Sequence, residues 1–231
     1  MIPLLLIPGM MCDARLYGPQ LAFFSSRMPV HLAPITAYET VQELAWEIIE
    51  HSPERFALAG LSMGGIVAME VLRQAPERVD RLALLDTNPR AELDEVKKKR
   101  EPQIEKVRNG QLLEVMRDEL KPQYLAPTGN RQPILDLCME MALGLGPEVF
   151  ERQSRALQSR PDQQNVLIQC RKPTLILMGK EDKLCPLDRH ELMHDLVKGS
   201  TLEIIDGAGH LPTLEQPDAV NRALAAWMEL E

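Results

Sequence analysis

Six short apolar, β-prone runs recur along the chain: Pro3 to Ile7, Val30 to Ala33, Phe56 to Ala59, Leu82 to Leu85, Thr174 to Met178 and Leu202 to Ile205. Helical patterns alternate with them. Thr40 can cap a helix, with Glu43 three residues on reaching back in a capping box. Val41, Leu44, Ala45, Ile48 and Ile49 then form its apolar stripe. A second helical stretch runs from Ile66 to Leu72, and a last one begins near Pro217 with Val220, Leu224 and Trp227 on one face, placed to cover one edge of the sheet. Strand and helix in alternation are the mark of parallel βαβ units. The pattern predicts an α/β fold: a doubly wound, mainly parallel sheet of about six strands with helices on both faces.

The alternation stops between about Asn88 and Lys172. Helical pieces fill this stretch: Ala91 to Gly110, Leu112 to Leu120, Pro133 to Leu145 and Pro147 to Leu157. Their apolar stripes need a surface to cover, and one end of the sheet supplies it. The chain is thus expected to divide into a core, residues 1–88 and 172–231, and an inserted helical cap or lid, residues 89–171. Asp94 and Glu95 stand four residues before Lys98 and Lys99, a spacing that stabilises a solvated helix face. The cluster Lys97-Lys98-Lys99-Arg100 therefore reads as surface and not as a phosphate site.

A length of 231 residues suits one such domain with an insertion. The 26 Lys plus Arg against 34 Asp plus Glu leave a net charge of −8, which argues against nucleic acid or an anionic membrane as partner. The opening MIPLLLIPGMM lacks a basic leader and is broken by Pro8-Gly9, so it reads as a buried strand and not as a signal peptide. No segment has the length of a membrane span, and stable membrane insertion is not expected. Cys12, Cys138, Cys170 and Cys185 are scattered without a CxxC pair, which suits reduced thiols and a cytoplasmic location. The sequence leaves the oligomeric state open.

The chemistry is concentrated at strand ends. GLSMGG, residues 60 to 65, lies between an apolar run and a helix, the setting in which Gly-x-Ser-x-Gly holds a serine on a tight bend. Gly60, Gly64 and Gly65 permit close strand–helix packing there, and the helix N-terminus favours negative charge at Ser62. A serine hydroxyl needs a base, and the base an orienting acid. Asp182 follows the run ending at Met178, in GKEDKLCP; His210 follows the next run, in DGAGHLPTLEQP. In a parallel sheet all these ends lie on one side. Asp86, which ends the run Leu82 to Leu85, is a competing acid, with Glu181 and Asp206 as weaker ones. The Gly179 to Pro186 pattern and the short span to His210 favour Asp182.

Together GLSMGG, the Gly179, Asp182 and Pro186 pattern and Gly207-Ala208-Gly209-His210 resemble an α/β-hydrolase of the serine-esterase type with a helical cap, over essentially the whole chain. The family's two short N-terminal strands have no counterpart before Pro3 to Ile7. The resemblance implies a nucleophile Ser62, a base His210 and an acid Asp182, with the backbone N–H groups of Met10 and Met63 as oxyanion donors. Pro8-Gly9-Met10 stands where many members carry His-Gly-x. It implies a small-molecule carboxylic ester as substrate, with no cofactor and no metal. Thioester cleavage, C–C bond hydrolysis, perhydrolysis and demethylation of carrier-protein methyl esters use the same triad. A noncatalytic ligand-binding receptor on this scaffold is the reading of a different class. Met11, Met139 and Met141, beside the two donor methionines, are candidates for a soft apolar pocket lining, with simple core packing as the alternative and the favoured one for Met139 and Met141.

Overall fold

The computed structural model describes residues 2–127, 129 and 131–230. Six strands form one sheet: β1 (Leu4–Ile7), β2 (Val30–Leu32), β3 (Phe56–Leu61), β4 (Val79–Leu85), β5 (Thr174–Gly179) and β6 (Thr201–Ile205). Their order is β2-β1-β3-β4-β5-β6, and every neighbouring pair is parallel. The four central strands are apolar along most of their length because both faces of a parallel sheet are covered.

The helices in chain order are α1 (Gly18–Phe24), α2 (Val41–His51), α3 (Met63–Gln74), α4 (Asp94–Arg108), α5 (Leu112–Glu114), α6 (Gln132–Leu145), α7 (Pro147–Ser159), α8 (Gln164–Gln169), α9 (Leu187–Leu196), α10 (Pro212–Glu215) and α11 (Pro217–Trp227). On one face Leu5, Ile7, Leu58 and Leu84 pack with α2 and α3, and with Leu167 of α8 and Met193 of α9. On the other, Leu4, Leu6, Ala59 and Leu85 pack with Phe24 of α1 and with Val220, Leu224 and Trp227 of α11. Thr40 caps α2 as the spacing predicts, its Oγ1 accepting from the Glu43 N–H at 3.2 Å. The Glu43 carboxylate meets the Thr40 hydroxyl at 2.6 Å.

Helices α4 to α8 lie between β4 and β5 in the chain. Several of them share a cluster of their own, with Ile104, Val107, Val115, Met116 and Phe150 buried together. After α5 the chain continues as a wider π turn over Val115–Leu120. Two expectations need adjusting here. The first helix of this stretch starts at Asp94, not Ala91, and α8 and α9 form where no clear apolar stripe marks a helix. The basic cluster is not wholly a solvated face either, since Arg100 is folded inward onto the buried Glu92.

Helix α9 also buries His190 completely. Its Nδ1 faces the Pro186 carbonyl at 3.4 Å, while Nε2 has no hydrogen-bond partner among the described residues. Burial holds its pKa down at about 4, against 6.5 for an ordinary histidine. The folded protein therefore keeps His190 neutral where the unfolded chain takes up a proton. Stability is retained above about pH 6.5 and is lost as the pH falls towards 4, by about 3 kcal/mol at most. Urea unfolding of His190→Gln across this window should show a shallower decline than the parent protein; an equal slope would exclude His190 as its source.

Candidate active site

Strand β3 delivers the chain to Ser62 at its C-terminal end. Ser62 has φ 55° and ψ −117°, a conformation rarely adopted by a residue with a side chain. Such a backbone costs on the order of 1–3 kcal/mol and persists only when its surroundings impose it. Here the Ser62 N–H donates to the Leu85 carbonyl at 2.9 Å, and the Ser62 carbonyl accepts from the Thr87 hydroxyl at 2.7 Å. Helix α3 then turns sharply away, so close to β1 that a Cβ on Gly64 would lie 2.1 Å from the Ile7 carbonyl oxygen.

The two other loops leave β5 and β6. They touch backbone to backbone, for a Cβ on Gly179 would lie 1.9 Å from the Gly209 carbonyl oxygen. Glu181 donates its N–H to the Ala208 carbonyl at 2.9 Å, which zips the loops together. The result is a continuous chain of contacts. His210 Nε2 lies 2.9 Å from Ser62 Oγ, and His210 Nδ1 lies 2.8 Å from Asp182 Oδ2. The second carboxylate oxygen of Asp182 accepts from the N–H groups of Leu184 and Cys185, at 2.8 and 3.1 Å.

Burial works to raise the Asp182 pKa, but the adjacent His210 and the hydrogen bonds prevail and hold it below the ordinary carboxylate value. Asp86 behaves in the opposite way. It is fully buried with φ 45°, and its Oδ1 accepts from the Gly179 N–H at 2.9 Å. Burial, reinforced by the Asp182 charge, pushes its pKa well up, which disfavours the charged form. Asp206 points to the surface and pairs with Lys180 at 2.6 Å. Of the competing carboxylates, only Asp182 contacts His210.

Met63 directly follows Ser62, and Met10 follows Gly9, on which a Cβ would lie 3.5 Å from that of Ser62; both methionines line the cavity. Neither N–H is bonded to another group among the described residues. Met63 is the first residue of α3, whose leading N–H groups have no helical partner. The loop after β1 is held from α7, since the Met11 N–H donates to Gln153 Oε1 at 2.8 Å and Gln153 Nε2 donates to the Ile35 carbonyl at 2.9 Å.

A cavity of about 630 Å³ opens above Ser62 and His210. Its apolar wall comes from Ile66, Leu93, Val96, Leu120, Leu157 and Leu184. Met11, Met139 and Met141 do not line it. Met11 is buried in the cap cluster, with Met139 packed against that cluster, and Met141 is buried in the core below, its Sδ accepting from the Asp13 N–H at 3.4 Å. The soft residues identified by type thus face away from the cavity, which Met10 and Met63 do reach.

Two further residues shape the site and carry no motif of their own. Glu215, in α10, accepts from the N–H groups of Gly209 and Leu211 at 2.9 and 3.1 Å and from Ala126 of the cap at 2.8 Å, which fixes the histidine loop. Tyr124 accepts the His210 N–H on its carbonyl at 2.7 Å. Asp182, Cys185 and His210 bring possible metal-ligand atoms within 4.8 Å of one another. The donors do not suit a metal: the Asp182 and His210 atoms are engaged with each other and with Ser62, and burial keeps the Cys185 thiol protonated.

Comparison with known proteins identifies the family and the fold. The model of the alpha/beta hydrolase family matches residues 5–223. The chain is 24% identical to a pimeloyl-[acyl-carrier protein] methyl ester esterase of Legionella pneumophila, over 94% of its own length and 91% of the relative's. It is also 24% identical to the biotin biosynthesis bifunctional protein BioHC of Cellvibrio japonicus, of whose length it spans only 47%. Among solved structures, a thermophilic esterase from Thermogutta terrifontis with malate bound superposes with a TM-score of 0.91 at 27% identity, covering 99% of this chain and 90% of that one. An enol-lactonase from Burkholderia xenovorans shares the fold, with a TM-score of 0.87 at 19% identity over 99% of this chain and 91% of the other. With a parallel sheet, a serine on a strained turn and a family match over nearly its whole length, the chain belongs to the alpha/beta hydrolase family.

Proposed function

We propose that the protein hydrolyses a carboxylic ester or thioester of a small molecule through an acyl-enzyme on Ser62. The observation that carries this reading is the unbroken contact from Asp182 through His210 to Ser62, ending on a serine held in strained backbone. His210 Nε2 takes the Ser62 proton as Oγ attacks the carbonyl carbon. Asp182 fixes the imidazole with Nδ1 protonated and stabilises the imidazolium that forms. The negative charge that develops on the carbonyl oxygen is received by the free N–H groups of Met10 and Met63, each donor of this kind being worth about 3–4 kcal/mol of barrier. His210 then returns the proton to the leaving alcohol or thiol. Water, activated by the same imidazole, releases the acid.

The enzyme is an esterase of carboxylester type, which the esterase relatives and solved esterases support. Several relatives, the Legionella pneumophila protein among them, are named for the methyl ester of a pimeloyl chain on a carrier protein, which makes a methyl ester of an acyl thioester the first substrate to test on this chain. No helix among the described residues is long and apolar enough to cross a membrane. The four cysteines are free thiols, in keeping with a cytoplasmic place of work. The division we infer is a core of residues 1–88 and 172–231 carrying the triad, with a cap of residues 89–171 roofing the acyl-binding cavity.

Ser62→Ala should lower kcat on 4-nitrophenyl butyrate by a factor on the order of 10⁴ or more while leaving the circular dichroism spectrum unchanged. Activity retained to within about tenfold would remove Ser62 from the nucleophile's role. On the same ester, Asp182→Asn should cost roughly 10³ to 10⁴ in kcat, because the imidazole loses its tautomer and orientation. Asp86→Asn can keep the bond to the Gly179 N–H and should cost less than about tenfold, under 1.4 kcal/mol of barrier. A severe loss in Asp86→Asn beside a near-normal Asp182→Asn would move the acid to the end of β4.

A further inference from the structure

Inside the cavity, one carboxylate serves two guanidinium groups. Glu92 is 5% exposed, and the side chains of Arg100 and Arg160 are 14% and 10% exposed. Arg100 grips Glu92 through Nε and through Nη2 at 3.0 Å, while Arg160 Nη1 reaches the same carboxylate at 2.9 Å. The three groups carry one surplus positive charge in a place largely withdrawn from water. An uncompensated charge so placed is costly unless something of opposite sign arrives to pair with it. Burial, with Arg100 beside it, already pulls the Arg160 pKa below the usual arginine value despite Glu92.

Both arginines keep donors in reserve, since a guanidinium has five N–H groups. Arg100 Nη1 meets only the Met10 sulfur, at 3.9 Å, a weak acceptor. Arg160 spends Nε on the Arg90 carbonyl at 3.1 Å, and its Nη2 has no hydrogen bond to the described residues. The surroundings do not supply the missing anion. Glu119, the other acidic side chain of the cavity wall, is engaged by Lys106 and Gln103. Lys99 and Lys183 line the cavity with no ion-pair partner among the described residues. A protein of net charge −8 thus concentrates cations around its reaction chamber.

Position completes the argument. Met10 lines the cavity next to Gly9, on which a Cβ would lie 3.5 Å from that of Ser62, while its side chain touches Arg100. An anion held by Arg100 would therefore lie one methionine side chain away from the reacting carbonyl, on the same molecule. We infer that the preferred substrates are esters bearing a second, anionic group, such as half-esters of short dicarboxylic acids, and that Arg100, aided by Arg160, selects them. This rests on the hydrolase reading of Ser62 and adds the substrate class to it.

The test compares kcat/KM for monoethyl glutarate and for ethyl pentanoate, followed by pH-stat. The wild type should favour the half-ester, and Arg100→Gln should lower the ratio of the two values by about 10- to 100-fold, the usual effect of losing a charge-assisted hydrogen bond. Lys98→Gln, which removes an exposed charge of the same helix outside the cavity, should leave the ratio within about twofold, as screening predicts. Equal losses on both esters in Arg100→Gln would show that the cluster only pins the cap, and with a wild-type preference for the neutral ester would overturn the inference. Titration calorimetry with glutarate on Ser62→Ala, where no turnover is needed, separates the two readings. Glutarate should bind Ser62→Ala and fail to bind Ser62→Ala/Arg100→Gln. Absence of binding to Ser62→Ala overturns the anion site alone, whereas full hydrolysis by Ser62→Ala overturns the nucleophile.

Discussion

The hydrogen bond between Ser62 Oγ and His210 Nε2 joins residues 148 apart in sequence across 2.9 Å, and the rest of the molecule can be understood as what makes it possible. Three parallel strands must end on the same side, and two of their loops must approach closely enough to share backbone hydrogen bonds. A side chain on Gly64 or Gly179 would collide with a neighbouring carbonyl at about 2 Å, so the approach is written into those positions. The strain at Ser62 is held by bonds from β4 and Thr87, which are themselves fixed by the sheet. The site is therefore no more tolerant of disorder than the core beneath it.

Electrostatics then divides the carboxylates by task. Asp182 and Asp86 are both buried at strand ends, yet His210 and two N–H groups hold the pKa of the first down while burial and the neighbouring charge push that of the second up. Glu215 binds three backbone N–H groups and ties the histidine loop to the cap at Ala126, which couples the position of His210 to the roof of the cavity.

Much of this was legible in the sequence because it depends on short-range signals. Apolar runs bounded by Gly and Pro mark the strands, and Gly-x-Ser-x-Gly between strand and helix marks the turn. The legible part ends where side-chain direction matters. Residue type suggested Met11, Met139 and Met141 for the cavity, but whether a helix turns a methionine inward or outward is set by packing partners far away in the chain. Helix α9 escaped notice because LDRHELMHDL buries only His190 and Met193 and so shows no stripe. Glu215 and Gln153 act on backbone groups, an action that leaves no spacing pattern to read. Arg100 was hidden among three lysines, and only the fold reveals that it turns to Glu92 while its helix neighbour Lys98 stays in solvent.

The central claim is that His210 makes the Ser62 oxygen a nucleophile. It is tested most directly by treating the folded protein with a fluorophosphonate and determining the site of modification by peptide mass spectrometry. The account predicts one phosphonyl adduct, on Ser62, that forms slowly or not at all in His210→Ala. An unmodified Ser62, or equal labelling with and without His210, would contradict it.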